Sequence, residues 1–313
     1  MRHLLTLCDV SSEEISRIFA LTEDIKSKFA QGVREPILPG RVLALLFEKP
    51  SLRTRVSFEA GMAQLGGNSL MLGEDVGFGK RERIDDFTRV LCEFIDVLVI
   101  RSKRHETVEQ VARHATCSVI NGLTDRSHPC QALADLYTLK EHLGTLQGAK
   151  LAWVGDANNV ARSLAVACGK LGVNFAIAAP QGYEFDVAQL DTWRREAPDW
   201  ELVATNDPRE AVAGASAVYT DVWASMGQEK QQAQRKQDFA AYQVNEQLMA
   251  AAPSDAFFMH CLPAKRGEEV SDGVLDSPRS IVVSQAGNRM HVQKGILAWL
   301  LGAQGTLSNK KVP

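Results

Sequence analysis

Residues 47–59 read Phe47, Glu48, Lys49, Pro50, Ser51, Leu52, Arg53, Thr54, Arg55, Val56, Ser57, Phe58 and Glu59. They follow an apolar run of strand length and lead into an amphipathic pattern over 53–65, so a strand feeds directly into a helix. Ser51, Arg53 and Thr54 then stand at the amino end of that helix, where free backbone N–H groups and the positive end of the helix dipole favour an anion. Two hydroxyls and the guanidinium groups of Arg53 and Arg55 add donors of the kind phosphate takes. The same residues also make a plain cap, with Pro50 and Ser51 before the first turn and both arginines in water. What else the chain places at such junctions decides between the two.

Outward from that junction, apolar runs at 42–47, 69–72, 97–100 and 118–120 alternate with helical patterns at 53–65, 85–94, 108–115 and 131–142. Glycines at 144–148 interrupt the series. A second series follows, with runs at 151–154, 175–179, 203–205, 217–220 and 257–262 and a helix over 161–171. Such alternation predicts an α/β fold of two doubly wound parallel sheets with helices on both faces, the chain dividing near residue 145. The Gln-, Lys- and Glu-rich stretch 228–241 predicts a solvated helix or loop. A final helix over 289–301 is apolar on one side and needs a partner surface.

A chain of 313 residues exceeds what one core holds, which again predicts two domains. Its 45% hydrophobic and 23% charged content is that of a soluble globular protein, and a net charge of -3 gives no basic field for nucleic acid. Any anion site must be local. No apolar run approaches the roughly 20 residues of a membrane span, and the first residues lack a signal-peptide core, so a cytoplasmic location is expected. The cysteines stand singly, with no Cys-x-x-Cys pair, and neither a disulfide framework nor a zinc site is indicated.

In open parallel sheets ligands bind beyond the carboxyl ends of the strands. Arg101 closes one strand; alone it reads as a snorkelling surface residue, whereas beside a phosphate cradle it suits a polarised carbonyl or phosphoryl oxygen. His128, Pro129, Cys130 and Gln131 enter a helix, either as a proline-started cap or as an imidazole aimed at an oxyanion and an amide that fixes a planar group. Gly155, Asp156, Ala157, Asn158 and Asn159 lie between strand and helix but lack the Gly-x-Gly-x-x-Gly spacing of a dinucleotide site. The paired asparagines suit a small zwitterion's carboxylate, or a turn. Asp221, with Ser225, Met226 and Gly227 after it, offers a carboxylate and backbone donors to an amino acid, or a simple cap. His260, Cys261 and Leu262 bring a thiol to the ligand side of the sheet, where a polar role competes with inert burial.

Taken in order, the motifs at 47–55, 128–131, 221–227, 260–264 and 285–291 resemble those of the aspartate/ornithine carbamoyltransferase family over nearly the whole chain. The runs at 225–227 and 260–263 place the resemblance on the ornithine side. It implies a carbamoyl phosphate-binding domain over 1–145, an amino-acid domain over 146–288, and a C-terminal helix within 289–313 that crosses back to the first. It also implies carbamoyl transfer from carbamoyl phosphate to L-ornithine, giving L-citrulline and phosphate, by a homotrimer with sites at subunit interfaces and no metal or organic cofactor.

Carried over to this numbering, Ser51, the Leu52 backbone, Arg53, Thr54 and Arg289 hold the phosphate. Arg101, His128 and Thr54 surround the carbamoyl oxygen, while Gln131 and the backbone of Cys261 and Leu262 take the carbamoyl amine. Asn159, Asp221, Ser225 and Met226 bind ornithine, and Cys261 stands by its δ-amine. Arg101, His128, Asp221 and Cys261 form the implied catalytic set. The physics agrees: attack needs a neutral amine, yet an alkylammonium has a pKa of ~10.4 in water, so the site must desolvate it or supply a base. Leu52 departs from the family, where threonine is usual, and a glutamine contributed by the neighbouring subunit falls here at about Gly77, with Lys80 or Arg81 as substitute cations. Competing readings are another acceptor (aspartate, putrescine or an N-acylated ornithine) or a non-catalytic carbamoyl phosphate-binding protein. The run at 225–227 weighs against the other acceptors.

Overall fold

The computed structural model describes residues 2–196, 200–224 and 231–302. The chain forms two compact units, the first built from Met1–Cys130 and the chain from Arg289 on, the second from Gln131–Asn288.

Unit 1 opens with α1 (Ser12–Ala30), a helix the apolar alternation beginning at 41 did not announce. Its signal lay in the capping box: the Ser11 hydroxyl accepts from Glu14 N–H at 3.2 Å, and the Glu14 carboxylate accepts from Ser11 N–H at 3.0 Å. There follow β1 (Val42–Phe47), α2 (Leu52–Gln64), β2 (Asn68–Leu72), α3 (Ile84–Cys92), β3 (Val97–Arg101), α4 (His105–His114) and β4 (Ser118–Leu123), and α5 (Pro129–Leu143) begins at the end of the unit. The strands pair in parallel in the order β2-β1-β3-β4. Every residue of β3 is buried, as a strand covered on both faces requires. Ala44, Leu46, Leu98, Ile100 and Val119 of the sheet share a core with Phe87, Val108 and Val111 of the helices.

Unit 2 continues with β5 (Lys150–Val154), α6 (Asn159–Leu171), β6 (Asn174–Ala178), α7 (Val187–Glu196), β7 (Leu202–Thr205), α8 (Pro208–Val212) and β8 (Ala217–Thr220). After these come α9 (Gln232–Asp238), α10 (Glu246–Met249), β9 (Phe257–His260), α11 (Asp272–Leu275) and α12 (Val282–Leu300). Its sheet is also parallel, ordered β7-β6-β5-β8-β9. Its core gathers Ala152, Val154, Val218 and Phe258 from strands with Phe239, Tyr242 and Met249.

Strand order reverses beside the first strand of each sheet, between β1 and β3 in unit 1 and between β5 and β8 in unit 2. Loops leaving two such strands diverge to opposite faces and open a crevice at their carboxyl ends. Residues 48–54 and Arg101 flank the first switch point; Asp156 to Asn159 and Asp221 flank the second.

Some boundaries differ from the sequence reading. The last helix begins at Val282, not at Arg289, because the apolar periodicity was read only from its more strongly apolar half. β9 ends at His260, leaving Cys261 and Leu262 outside the ladder, where Leu262 takes a left-handed φ of 57°. By their contacts the two units part at Cys130 and Gln131, inside α5. The reason is visible in the side chains: from Gln131 on, α5 hydrogen-bonds residues of unit 2, Asp135 with Tyr219 and Gln285, and Thr138 with Asn288. Among the described residues no helix is long and apolar enough to cross a membrane.

Lys294 is an unusual member of the unit 1 interior. Only 1% exposed, it donates to Gln64 Oε1 at 3.0 Å and sits 4.6 Å from the Phe29 ring centroid. Burial, aided by the Arg34 charge, pushes its ammonium down to about 8. The unfolded chain, with an ordinary lysine pKa of ~10.4, therefore binds more protons between pH 8 and 10, and stability rises with pH across that window. Lys294→Met should raise the Tm at pH 7, by about 1–3 kcal/mol of stability, and flatten the rise between pH 8 and 10. Thermal melts of both proteins across pH 7–10 measure this, and an unchanged slope contradicts it.

Candidate active site

In unit 1, β1 delivers the chain to Ser51, which caps α2: its Oγ accepts from Thr54 N–H at 3.3 Å and donates to Thr54 Oγ1 at 3.0 Å. Leu52, the first helical residue, points its side chain into solvent with 76% exposure, so the departure at this position leaves the backbone donors of the helix end intact. Arg101 ends β3 with only 6% exposure, and its carbonyl accepts from Glu48 N–H at 2.9 Å, which ties the ends of β1 and β3 together. Arg289 of α12 donates through Nη2 to Thr54 Oγ1 at 2.9 Å.

His128 stands just before α5, held there by a tight loop. Thr124 N–H bonds the Ser127 carbonyl at 3.0 Å, Ser127 N–H bonds Thr124 Oγ1 at 3.2 Å, and Asn121 Nδ2 bonds the Ser127 carbonyl at 3.2 Å. The imidazole is buried, and burial first, then the charges of Arg289 and Arg101, hold its pKa well below the usual histidine value. It is neutral at physiological pH and so meets its surroundings as a neutral imidazole, not as a cation. Two guanidinium groups gathered around a buried neutral imidazole at a helix amino end form a site suited to an anion. The His128 Cε1–H resonance should keep its neutral position as pH falls through the range where an ordinary histidine titrates. Stability should fall as pH drops below ~6.5, because there only the unfolded chain takes up the proton. A His128 signal titrating near 6.5 would contradict the burial argument.

In unit 2, Gly155 follows β5 with φ of 142°, a backbone region closed to side-chain-bearing residues, and turns the chain toward α6. Asn158 caps that helix, accepting from Val160 and Ala161 N–H at 2.9 and 3.0 Å, and its Nδ2 donates to Asp221 Oδ2 at 2.9 Å. Cys261 Sγ donates to Asp221 Oδ1 at 3.0 Å, and Val222 N–H reaches the same oxygen at 2.8 Å. Asp221 and Cys261 are thus brought together as a carboxylate–thiol pair at the end of β8. Asn159 is the first residue of α6, beside them in sequence, but it is Asn158 that touches Asp221. Ser225 and Met226 lie outside the described residues.

Supporting residues fix this pair. His260 accepts from Leu262 N–H at its Nδ1, 2.8 Å away, which leaves Nε2 to donate to Glu269 Oε1 at 3.2 Å. The left-handed Leu262 backbone, costly for a branched residue by ~1–2 kcal/mol, is held by that contact. Arg235, 6% exposed, donates to Asp156 Oδ2 at 2.6 Å and to the Trp223 carbonyl at 2.7 Å, with its guanidinium over the Tyr183 ring. Burial raises the Asp156 carboxyl, Arg235 lowers it, and the Asp221 charge raises it again. Asp221, His260 and Cys261 each place one possible ligand atom within 4.8 Å of the others. Both imidazole nitrogens are already engaged, however, so the cluster is built as a hydrogen-bond network in preference to a metal centre.

Arg235, Asp135 and Glu269 were not named from sequence, and of the paired asparagines only Asn159 was assigned to ornithine. Arg235 hid in the stretch 228–241, read as solvated, whereas its side chain is buried. Gly77 has φ of 67°, and the N–H groups of Lys80 and Arg81 close a turn onto its carbonyl. That backbone conformation favours glycine at this position.

Two doubly wound sheets, one with arginines about a buried imidazole and the other with a carboxylate–thiol pair, each at a switch point, define the class: a two-unit α/β protein with polar groups gathered at both switch points. Family models agree with it. The aspartate/ornithine carbamoyltransferase carbamoyl-P binding domain matches residues 2–141, and the Asp/Orn binding domain of the same family matches residues 147–300. The chain belongs to the aspartate/ornithine carbamoyltransferase family. It is 52% identical to the ornithine carbamoyltransferase of Anoxybacillus flavithermus and 51% identical to that of Geobacillus stearothermophilus, covering 96% of this chain in both cases and 96% and 97% of those proteins. It also resembles the solved ornithine carbamoyltransferase of Pyrococcus furiosus, with a TM-score of 0.93 and 46% identity over 97% of this chain and 98% of that one.

Proposed function

We propose that this protein transfers the carbamoyl group of carbamoyl phosphate to the δ-amine of L-ornithine, giving L-citrulline and phosphate. The observation that carries the reading is that the charges of Arg101 and Arg289 both act on the buried, neutral His128, while Arg289 also bonds Thr54 at the capped end of α2. Ser51, Arg53, Thr54, Arg289 and the Leu52 N–H take the phosphate, whose charge grows as it leaves. Arg101 and His128 stabilise the oxyanion formed when the amine adds to the carbamoyl carbon, a type of contact worth ~3–4 kcal/mol per donor.

Asp221 takes the ammonium of ornithine, with Asn159, Ser225 and Met226 completing its binding, and Cys261 stands by the δ-amine. The δ-ammonium gives its proton to solvent as it is desolvated, and the neutral amine attacks the carbamoyl carbon; collapse of the adduct breaks the C–O bond to phosphate, and the departing phosphate takes the proton still carried by the attacking nitrogen. No step calls on a metal or an organic cofactor. We place the enzyme in the cytoplasm as a homotrimer, serving arginine biosynthesis or breakdown through citrulline. Exposed Leu52 and Val56 of α2 and Leu70 of the edge strand β2 supply apolar surface for subunit contact, with Lys80 or Arg81 as the cation offered to a neighbouring site. Light scattering that finds a stable monomer would remove the trimer.

Purified protein given carbamoyl phosphate and ornithine, aspartate, putrescine or N-acetylornithine in turn tests the acceptor. Citrulline from ornithine alone is expected; product from another acceptor and none from ornithine would overturn the choice.

A further inference from the structure

A buried carboxylate on α5 fixes which way the Gln131 amide faces. His260 N–H, a backbone group able only to donate, reaches Gln285 Oε1 at 3.0 Å, and this fixes the orientation of the Gln285 amide. Its Nε2 must then be the atom 2.7 Å from Asp135 Oδ1 and 3.1 Å from the Tyr219 hydroxyl. The Tyr219 hydroxyl, accepting from Gln285, donates to Asp135 Oδ2 at 3.0 Å. Both oxygens of Asp135, which is 0% exposed, are therefore acceptors.

Gln131 lies one helical turn before Asp135, and its amide approaches Oδ1 at 2.8 Å. Only its NH₂ end can face an oxygen that already accepts; the opposite flip would set two lone-pair-bearing oxygens against each other inside the protein. Gln131 Oε1 is thereby turned away from Asp135 and presented as an acceptor. We infer that Asp135 is a positioning residue that makes Gln131 a selective reader of the donor's NH₂ group, so that the site distinguishes carbamoyl phosphate from acyl phosphates that carry a methyl group in its place. The inference rests on the proposed carbamoyl transfer. The chain of contacts from the His260 N–H through Gln285 and Asp135 to Gln131 also ties the setting of that amide to the strand end carrying Cys261.

The test compares dissociation constants for carbamoyl phosphate and acetyl phosphate, with citrulline formation by the unaltered enzyme measured alongside. The native protein should favour carbamoyl phosphate by about tenfold or more, as a site built around one hydrogen bond does. Asp135→Asn, whose amide can present either end to Gln131, should reduce the preference to within about twofold, chiefly by weakening carbamoyl phosphate. Tyr219→Phe removes a donor but keeps the carboxylate, and should retain the preference even where it lowers the Tm; its loss there would mean that general disturbance of the network is the cause. Should Asp135→Asn fail to fold, the side-chain amide of Gln131 in the native protein decides. Slowly exchanging Nε2 protons before ligand, with a carbonyl carbon shift induced by carbamoyl phosphate and not by acetyl phosphate, supports the inference, and freely exchanging protons overturn it. Native enzyme that makes no citrulline defeats the activity reading, whereas active enzyme with an Asp135→Asn variant that still discriminates defeats this inference alone.

Discussion

Arg101→Ala should lower kcat for citrulline formation by about 10²–10³-fold, as loss of one preorganised oxyanion donor does. The protein should still fold, because Arg101 sits near a second guanidinium, that of Arg289, and both charges act on His128; removing one relieves like-charge crowding. The same variant carries an independent signature. With one of its depressing charges gone, the His128 pKa should rise while remaining below its ordinary value, since burial is the larger cause. Steady-state kinetics, a thermal melt and an imidazole titration of the one variant measure all three. Near-native kcat would remove Arg101 from the chemistry, and an unfolded variant would show that its place in β3 is structural.

Asp221→Asn tests the other unit. The native carboxylate accepts from Cys261 Sγ, Asn158 Nδ2 and Val222 N–H at once, a set that an asparagine cannot reproduce, because its NH₂ must face one of those donors. Loss of the charge that meets an ammonium, with a donor left unsatisfied, costs about 2–5 kcal/mol, or roughly 30-fold to several thousand-fold in kcat/KM for ornithine. The dissociation constant of carbamoyl phosphate should change less than that of ornithine, since the residues proposed for its phosphate, Ser51 to Thr54 and Arg289, belong to unit 1. Equal losses for both substrates would show that Asp221 maintains the fold and does not recognise the acceptor.

The parts of the fold that local pattern encodes were legible. Each strand of the two sheets was placed from its apolar run: the inner strands because a parallel strand covered on both faces must be apolar throughout, the edge strands β2 and β7 from shorter runs that are only partly covered. Ser51 and Arg101 could be singled out for the same reason, as polar residues at the carboxyl end of such a run. What escaped was set by contacts between residues far apart in the chain. Arg235 reaches Asp156 across 79 positions and Gln285 reaches Asp135 across 150. No periodicity reports such a pair, and a lone arginine among glutamines and lysines looks solvated until its partner is known. Asn158 and Asn159 show the limit at finer scale. Either can cap a helix, and only the three-dimensional turn set by Gly155 decides which side chain meets Asp221. The C-terminal helix was placed, but its start was missed because the apolar stripe of residues 282–288 is weak beside that of 292–300.

The central claim is that an anion cradle at the first switch point and a carboxylate–thiol pair at the second serve one carbamoyl transfer to a side-chain amine. Incubating the protein with ¹³C-carbamoyl phosphate and ornithine labelled with ¹⁵N at the δ position tests it most directly, by nuclear magnetic resonance of the product. The account predicts a ¹³C–¹⁵N coupling that grows with time, as the labelled carbon bonds to the δ-nitrogen and phosphate is released in equal amount. Label found on the α-nitrogen, or phosphate released with no coupled product, would contradict it.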